Sequence, residues 1–170
     1  MSRDGVRNVL FLCTGNSARS IIGEALVNHL GAGKLRGFSA GSFPKGSVNP
    51  YTLELLAHMK LPIAGLRSKS LSEFASTDAP RMDFVFTVCD QVAGEACPIW
   101  PGHPMTAHWP FPDPAAFDGP ESEKRALFAE VFRMMERRVR HFTALPLDSL
   151  SDPEIQREIR ALGTGTPQPA

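Results

Sequence analysis

The first thirty residues constrain the chain most. A run rich in apolar residues, Val6 to Leu12, passes directly into CTGNSARS (residues 13 to 20). Only after that do Ile21, Ile22, Ala25, Leu26, His29 and Leu30 recur at helical spacing as far as Gly31. A short apolar run bounded by turn residues has the composition of a strand buried on both faces, and a strand joined through a tight loop to a helix opens a β-α-β unit. The same alternation continues. Leu35 to Ala40 is expected to be a second strand and GSFPKGSVN (Gly41 to Asn49) a loop; Asn49 and Pro50 cap and start a helix carrying Leu53, Leu56 and Ala57 that stops before Pro62. Ser70 to Ala75 reads as one helical turn, Met82 to Val88 as a third strand and Met105 to Trp109 as a fourth. Pro110, Pro112 and Pro114 force a loop after it, because proline cannot donate to a strand ladder. Glu121 to Ala144 predicts the longest helix, with a stripe of Leu127, Val131, Met134, Met135, Val139 and Phe142. Asp152, Pro153 and Gly163 frame a last short helix ahead of a tail, Thr164 to Ala170, expected to be disordered.

Strands separated by helical segments imply right-handed crossovers. The expectation is therefore an α/β fold: a single domain over residues 1–150 with a four-stranded parallel twisted sheet and helices on both faces, followed by the C-terminal helix and tail of 151–170. A length of 170 residues suits one such domain, and 42% hydrophobic with 21% charged residues excludes wholesale disorder, collagen and coiled coil. Eighteen basic residues against eighteen acidic ones leave no net field to recruit nucleic acid or an anionic membrane, so any anion binding must be local. No apolar stretch approaches the roughly 20 residues of a membrane helix, and Val9 to Leu12 is too short for a signal-peptide core, so a cytoplasmic protein is expected. The odd count of three cysteines, Cys13, Cys89 and Cys97, speaks against a disulfide framework and leaves chemistry, metal binding or plain burial.

In parallel sheets ligands bind beyond the carboxyl ends of the strands, and Cys13, Cys89 and Asp113 each follow a predicted strand. Cys13 and Arg19 enclose five residues in a loop that ends at a helix N-terminus. Such a loop can turn the backbone N–H groups of Thr14, Gly15, Asn16, Ser17, Ala18, Arg19 and Ser20 inward as a nest for a tetrahedral oxyanion, with the positive end of the helix behind it. Arg19 adds a fork that stays charged at any working pH. The same surroundings favour the Cys13 thiolate, which is the nucleophilic form, and the Ser20 hydroxyl could donate to it. Gly15 permits unusual backbone angles and Asn16 tolerates a left-handed one. The alternative is an inert buried cysteine beside a surface arginine.

CTGNSARS resembles the phosphate-binding loop of the low-molecular-weight protein tyrosine phosphatases and of the arsenate reductases that share their fold. The resemblance spans Val6 to Leu147 and includes SAG at Ser39 to Gly41 and the pair Asp113-Pro114. It implies that Asp113 is the general acid, and that Ser39 and Glu24 support the loop. TVCDQVAGEACP (residues 87 to 98) resembles the redox loop of the thioredoxin-coupled reductases, and HWPFPDP (108 to 114) resembles that branch too, with Ala115, Ala116 and Phe117 where many phosphatases carry tyrosines. The resemblance thus implies reduction of arsenate to arsenite through a relay of Cys13, Cys89 and Cys97, with no bound cofactor and an external thiol reductant, either thioredoxin or a low-molecular-weight thiol. Two departures stand out: seven residues separate Cys89 from Cys97, one more than in the staphylococcal-type enzymes, and Ala18 replaces a second cysteine often present in the loop.

Two other functions remain open on sequence: a phosphatase using only Cys13, Arg19 and Asp113 on phosphomonoesters, and a non-catalytic oxyanion-binding or redox-sensing module. His103 and His108 are spaced like a zinc pair, but Cys-x7-Cys is too wide for a usual zinc knuckle, so no metal is expected and His108 reads as a hydrogen-bonded structural residue. Arg133, Arg137, Arg138 and Arg140 read as a solvated helix side, and Met134 and Met135 as core filling.

Overall fold

The computed structural model describes residues 5–88 and 103–164. Cys89, Cys97 and the tail after Thr164 lie outside them.

Among the described residues the chain forms four strands: β1 (Arg7–Cys13), β2 (Leu35–Gly41), β3 (Phe84–Thr87) and β4 (Met105–His108). They pair in parallel in the order β2-β1-β3-β4, with Cys13 opposite Gly41 at the carboxyl end of β1. The helices are α1 (Arg19–Leu30), α2 (Pro50–His58), α3 (Glu121–Ala144) and α4 (Asp152–Thr164), with short 3-10 turns at Leu71–Phe74 and Pro114–Ala116. Element order and topology match the sequence reading to within one to three residues at each boundary.

The central strand is buried because both of its faces are covered. Phe11 points toward α1, where Gly23 lets the helix lie against the ring: a Cβ at Gly23 would stand 2.8 Å from Phe11. On the same face Phe86 stacks on Trp109 at 3.9 Å, and both meet Phe142 of α3 edge-on at 5.3 and 5.9 Å. Leu10 and its register partner Phe38 point the other way, where Phe38 packs edge-on against Phe74 of the first 3-10 turn. In α3 the buried stripe is Phe128, Val131, Phe132, Met135, Val139 and Phe142. The sequence reading names Val131, Met135, Val139 and Phe142 of this stripe, misses Phe128 and Phe132, and adds Leu127 and Met134, which are only half-buried. The cause is the bulk of Phe128 and Phe132, which wins the interior.

Helix α4 is part of the same core: Ile155 and Ile159 are buried, and the Trp109 Nε1–H donates to the Ile159 carbonyl at 2.9 Å. Among the described residues no helix is long and apolar enough to cross a membrane.

Candidate active site

β1 delivers Cys13 to the sheet's carboxyl edge, and residues 14 to 18 turn back to start α1 at Arg19. The orientation of this loop follows from its carbonyls. Cys13 O accepts from Ser42 N at 3.2 Å, Thr14 O from Phe43 N at 2.9 Å, and Gly15 O from Lys45 N at 3.0 Å and Ser68 Oγ at 3.1 Å. Ser17 O accepts from Asn49 N at 3.0 Å and Thr52 Oγ1 at 2.9 Å. In a trans peptide the C=O of one residue and the N–H of the next point in opposite directions. Carbonyls tied outward at positions 13, 14, 15 and 17 therefore turn the N–H groups of Thr14, Gly15, Asn16 and Ala18 to the inside. That orientation, continued by the first amides of α1, is the one an anion nest requires.

Asn16 holds the turn from within. It is fully buried at φ +48°, a left-handed conformation that asparagine tolerates better than most residues. Its Nδ2 donates to Ser20 Oγ at 2.8 Å and its Oδ1 accepts from Lys69 N at 2.8 Å. Because Ser20 Oγ accepts from Asn16, its own hydroxyl proton is directed elsewhere. Gly41, opposite Cys13, must be glycine: a Cβ there would lie 2.5 Å from Thr14 O.

The nest opens into a cavity of about 380 Å³ lined by the loop with Phe43, Lys45, Asp113 and Ala115. Cys13 forms part of its floor and is buried. The Arg19 side chain is largely buried; its Nη1 donates to Phe111 O at 3.1 Å, and its Nη2 lies 3.3 Å from Asp113 Oδ2. Among the described residues its Nε is buried without a hydrogen-bond partner. Asp113 caps the second 3-10 turn, where its Oδ1 accepts from Ala115 N at 3.0 Å, so the carboxyl group is aimed at the cavity by its own turn. Cys13, Arg19 and Asp113 thus meet in one cavity.

Behind the loop lies a polar cluster only partly foreseen. Ser39 Oγ donates to Glu24 Oε1 at 2.6 Å, and the Lys69 ammonium lies 3.4 Å from Ser39 Oγ and 3.8 Å from Glu24 Oε1. Burial pushes the Glu24 carboxyl above its usual range, opposed by the Ser39 hydrogen bond and by Lys69. Burial likewise pulls the Lys69 ammonium down, opposed by Glu24. Ser39 and Glu24 carried a sequence signal; Lys69 carried none, because RSKS between two loops looks like solvated surface. Arg138 is the second residue missed. Arg133, Arg137 and Arg140 are exposed as expected, but the Arg138 guanidinium stacks 4.9 Å from the centre of the Phe111 ring, whose carbonyl holds Arg19. Burial and the neighbouring Arg137 lower its pKa. His108 is held at the end of β4, its Nδ1 2.8 Å from Thr87 Oγ1. Among the described residues no three metal-ligating side chains come together.

Comparison with known proteins agrees with this geometry. The family model of the low molecular weight phosphotyrosine protein phosphatases matches residues 8–158. The arsenate reductase of Bacillus licheniformis is 34% identical over 138 residues, covering 80% of this chain and 94% of that protein. The structure of an arsenate reductase from Archaeoglobus fulgidus superposes with a TM-score of 0.61 at 30% identity, covering 81% of this chain and 99% of its own. The thioredoxin-dependent arsenate reductase of Corynebacterium glutamicum gives a TM-score of 0.61 at 26% identity, covering 82% of this chain and 61% of the longer Corynebacterium chain. A family model matching most of the chain, beside relatives above 30% identity, settles the family: the chain belongs to the low molecular weight phosphotyrosine protein phosphatase family.

Proposed function

We propose that the protein is an arsenate reductase. The observation that carries this reading is the loop of residues 13 to 20 with the cavity it lines, where Cys13, Arg19 and Asp113 meet and where the Arg19 Nε has no hydrogen-bond partner among the described residues. The relatives named arsenate reductase, matched over more than nine-tenths of their length, favour reduction over ester hydrolysis.

The Cys13 thiolate attacks arsenic held by the amides of Thr14 to Ser20 and by Arg19. A sulfur–arsenic bond forms as the bond from arsenic to one of its hydroxyl groups breaks, and that hydroxyl takes a proton from Asp113 and leaves as water. Cys89, as thiolate, then attacks Cys13 Sγ. The new disulfide takes the place of the sulfur–arsenic bond, whose electron pair stays on arsenic, and As(V) leaves as the As(III) of arsenite. Cys97 attacks Cys89 in turn, releasing Cys13 as thiolate and leaving a Cys89–Cys97 disulfide, which takes two electrons from an external dithiol of the thioredoxin type. A small cellular thiol is the competing reductant. A phosphate ester in the same nest would give a phosphocysteine open to water, so slow aryl phosphate hydrolysis is an expected side activity.

The deciding experiment is arsenate-dependent NADPH oxidation through thioredoxin and its reductase, run beside hydrolysis of an aryl phosphate. Arsenate turnover that requires thioredoxin supports the reading. Efficient ester hydrolysis without arsenate turnover replaces it with the phosphatase reading, and neither activity reduces the loop to an oxyanion-binding module.

A further inference from the structure

The anion nest is held from outside by a strap, Arg67 to Ser70, that belongs to no helix or strand of the main sheet. Three of its backbone and side-chain groups tie it to the loop and to the end of β2. Lys69 N–H donates to Asn16 Oδ1 at 2.8 Å, Ser68 Oγ donates to Gly15 O at 3.1 Å, and Lys69 O accepts from Gly41 N at 2.9 Å. The strap's outer contacts are exposed ones, the Arg67–Glu73 ion pair and the bond from Gly46 N–H to Ser68 Oγ at 3.1 Å, and among the described residues its regular pairing is a single bridge between Gly41 and Ser70.

The Lys69 side chain supplies the buried anchor. It turns inward with 7% of its side chain exposed, and its ammonium donates to the Arg67 carbonyl at 2.6 Å while facing Ser39 Oγ and the Glu24 carboxylate. A lysine is almost never buried to this degree without a task that offsets its desolvation. Here the ammonium joins three elements: the strap through Arg67 O, β2 through Ser39, and α1 through Glu24. Both β2 and α1 flank the nest directly, one ending at Gly41 and the other beginning at Arg19.

We propose that Lys69 is a positioning residue of the anion site: its buried ammonium pins the strap that sets the orientation of the Gly15 and Asn16 peptides, and so sets the affinity of the nest for a tetrahedral oxyanion. This rests on the reading of the nest as an oxyanion site. Lys69 touches neither substrate nor Cys13 in this role; it acts through Asn16 and Gly15. The structural alternative is that Lys69 serves only to neutralise Glu24.

The two accounts separate in a double substitution. Lys69→Met keeps the length of the stem and removes the charge, leaving Glu24 buried without its cation; Glu24→Gln with Lys69→Met leaves a neutral pair. The measurements are the Kd of inorganic phosphate by calorimetry, and Tm. Positioning predicts that Lys69→Met weakens phosphate binding about tenfold or more, since misplacement of aligned donors by about an ångström costs on the order of 10²-fold. It also predicts that the double variant regains Tm while its phosphate affinity stays low, because no ammonium holds Arg67 O. Recovery of affinity together with Tm in the double variant overturns the proposal, as does a phosphate Kd in Lys69→Met within about twofold of wild type. If Lys69→Met alone fails to fold, the neutral pair carries the test, since it leaves no unpaired buried charge. Failure of the wild type to bind phosphate at all overturns the oxyanion reading and this inference with it, an outcome distinct from tight binding that ignores Lys69.

Discussion

Asn16 carries more of the site's architecture than its small size suggests, and its replacement by alanine has a cost that can be worked out by parts. The Lys69 N–H, bonded to Asn16 Oδ1 at 2.8 Å in a buried setting, is left without an acceptor, a loss of about 1–3 kcal/mol. The bond from Asn16 Nδ2 to Ser20 Oγ at 2.8 Å is lost as well, worth about 0.5–1.5 kcal/mol net. Alanine must also hold φ +48°, where an L-residue without a compensating side chain pays roughly 1–2 kcal/mol. Asn16→Ala should therefore destabilise the fold by about 2.5–6.5 kcal/mol in urea denaturation. Asn16→Gly loses the same bonds but adopts the backbone angle without strain, so it should recover about 1–2 kcal/mol of that loss. Asn16→Asp keeps the acceptor for Lys69 but sets a carboxylate directly behind the loop that is to hold an anion, so it should fold better than Asn16→Ala and yet bind phosphate worst of the three. A cost for Asn16→Ala below about 1 kcal/mol, or equal costs for alanine and glycine, would refute the reasoning.

Arg19→Lys keeps the charge but loses the fork that reaches Phe111 O, Asp113 and the anion together, so kcat should drop about 10²-fold or more in steady-state assays. Asp113→Asn should harm esters with poor leaving groups far more than activated aryl esters; equal losses would make Asp113 structural, as the cap of its own turn. Gly23→Ala places a methyl 2.8 Å from the Phe11 ring and should cost about 1–3 kcal/mol by thermal denaturation, with little change in phosphate affinity. Because burial raises the Glu24 pKa above 4.5, the native state holds that proton more tightly than the unfolded chain. Its stabilising effect is complete below 4.5 and is lost as pH rises through the raised value, so the Tm of the wild type should fall relative to Glu24→Gln over that window and then run parallel; a constant offset throughout would contradict the assigned shift.

The parts of this molecule legible in the sequence are those in which local and tertiary signals coincide. Val9 to Leu12 is apolar because the strand is covered on both faces, and Asn49-Pro50 starts a helix because cap and first-turn proline are local chemistry. Cys13, Arg19 and Asp113 could be assigned to one cavity because each follows a strand of a parallel sheet, and that topology sends all three to one edge. Lys69 could not be found this way. Its burial depends on Glu24 and Ser39, which lie 45 and 30 positions away, and polar residues flank it on both sides. Arg138 was missed for a related reason: helical spacing alone sets it beside solvent, and only the Phe111 loop folded over α3 gives it a ring to cover. The redox pair Cys89 and Cys97 remains an assignment carried by the sequence.

The relay is therefore the claim that most needs direct measurement. With Cys97→Ser, reduced and then treated with arsenate without any external thiol, mass spectrometry of digested peptides should find a disulfide between Cys13 and Cys89, formed in step with about one arsenite released per protein, because nothing within the chain can then free Cys13. Arsenite released with Cys13 still a thiol, or a Cys13 adduct that persists until a small external thiol is added, would contradict the three-cysteine relay.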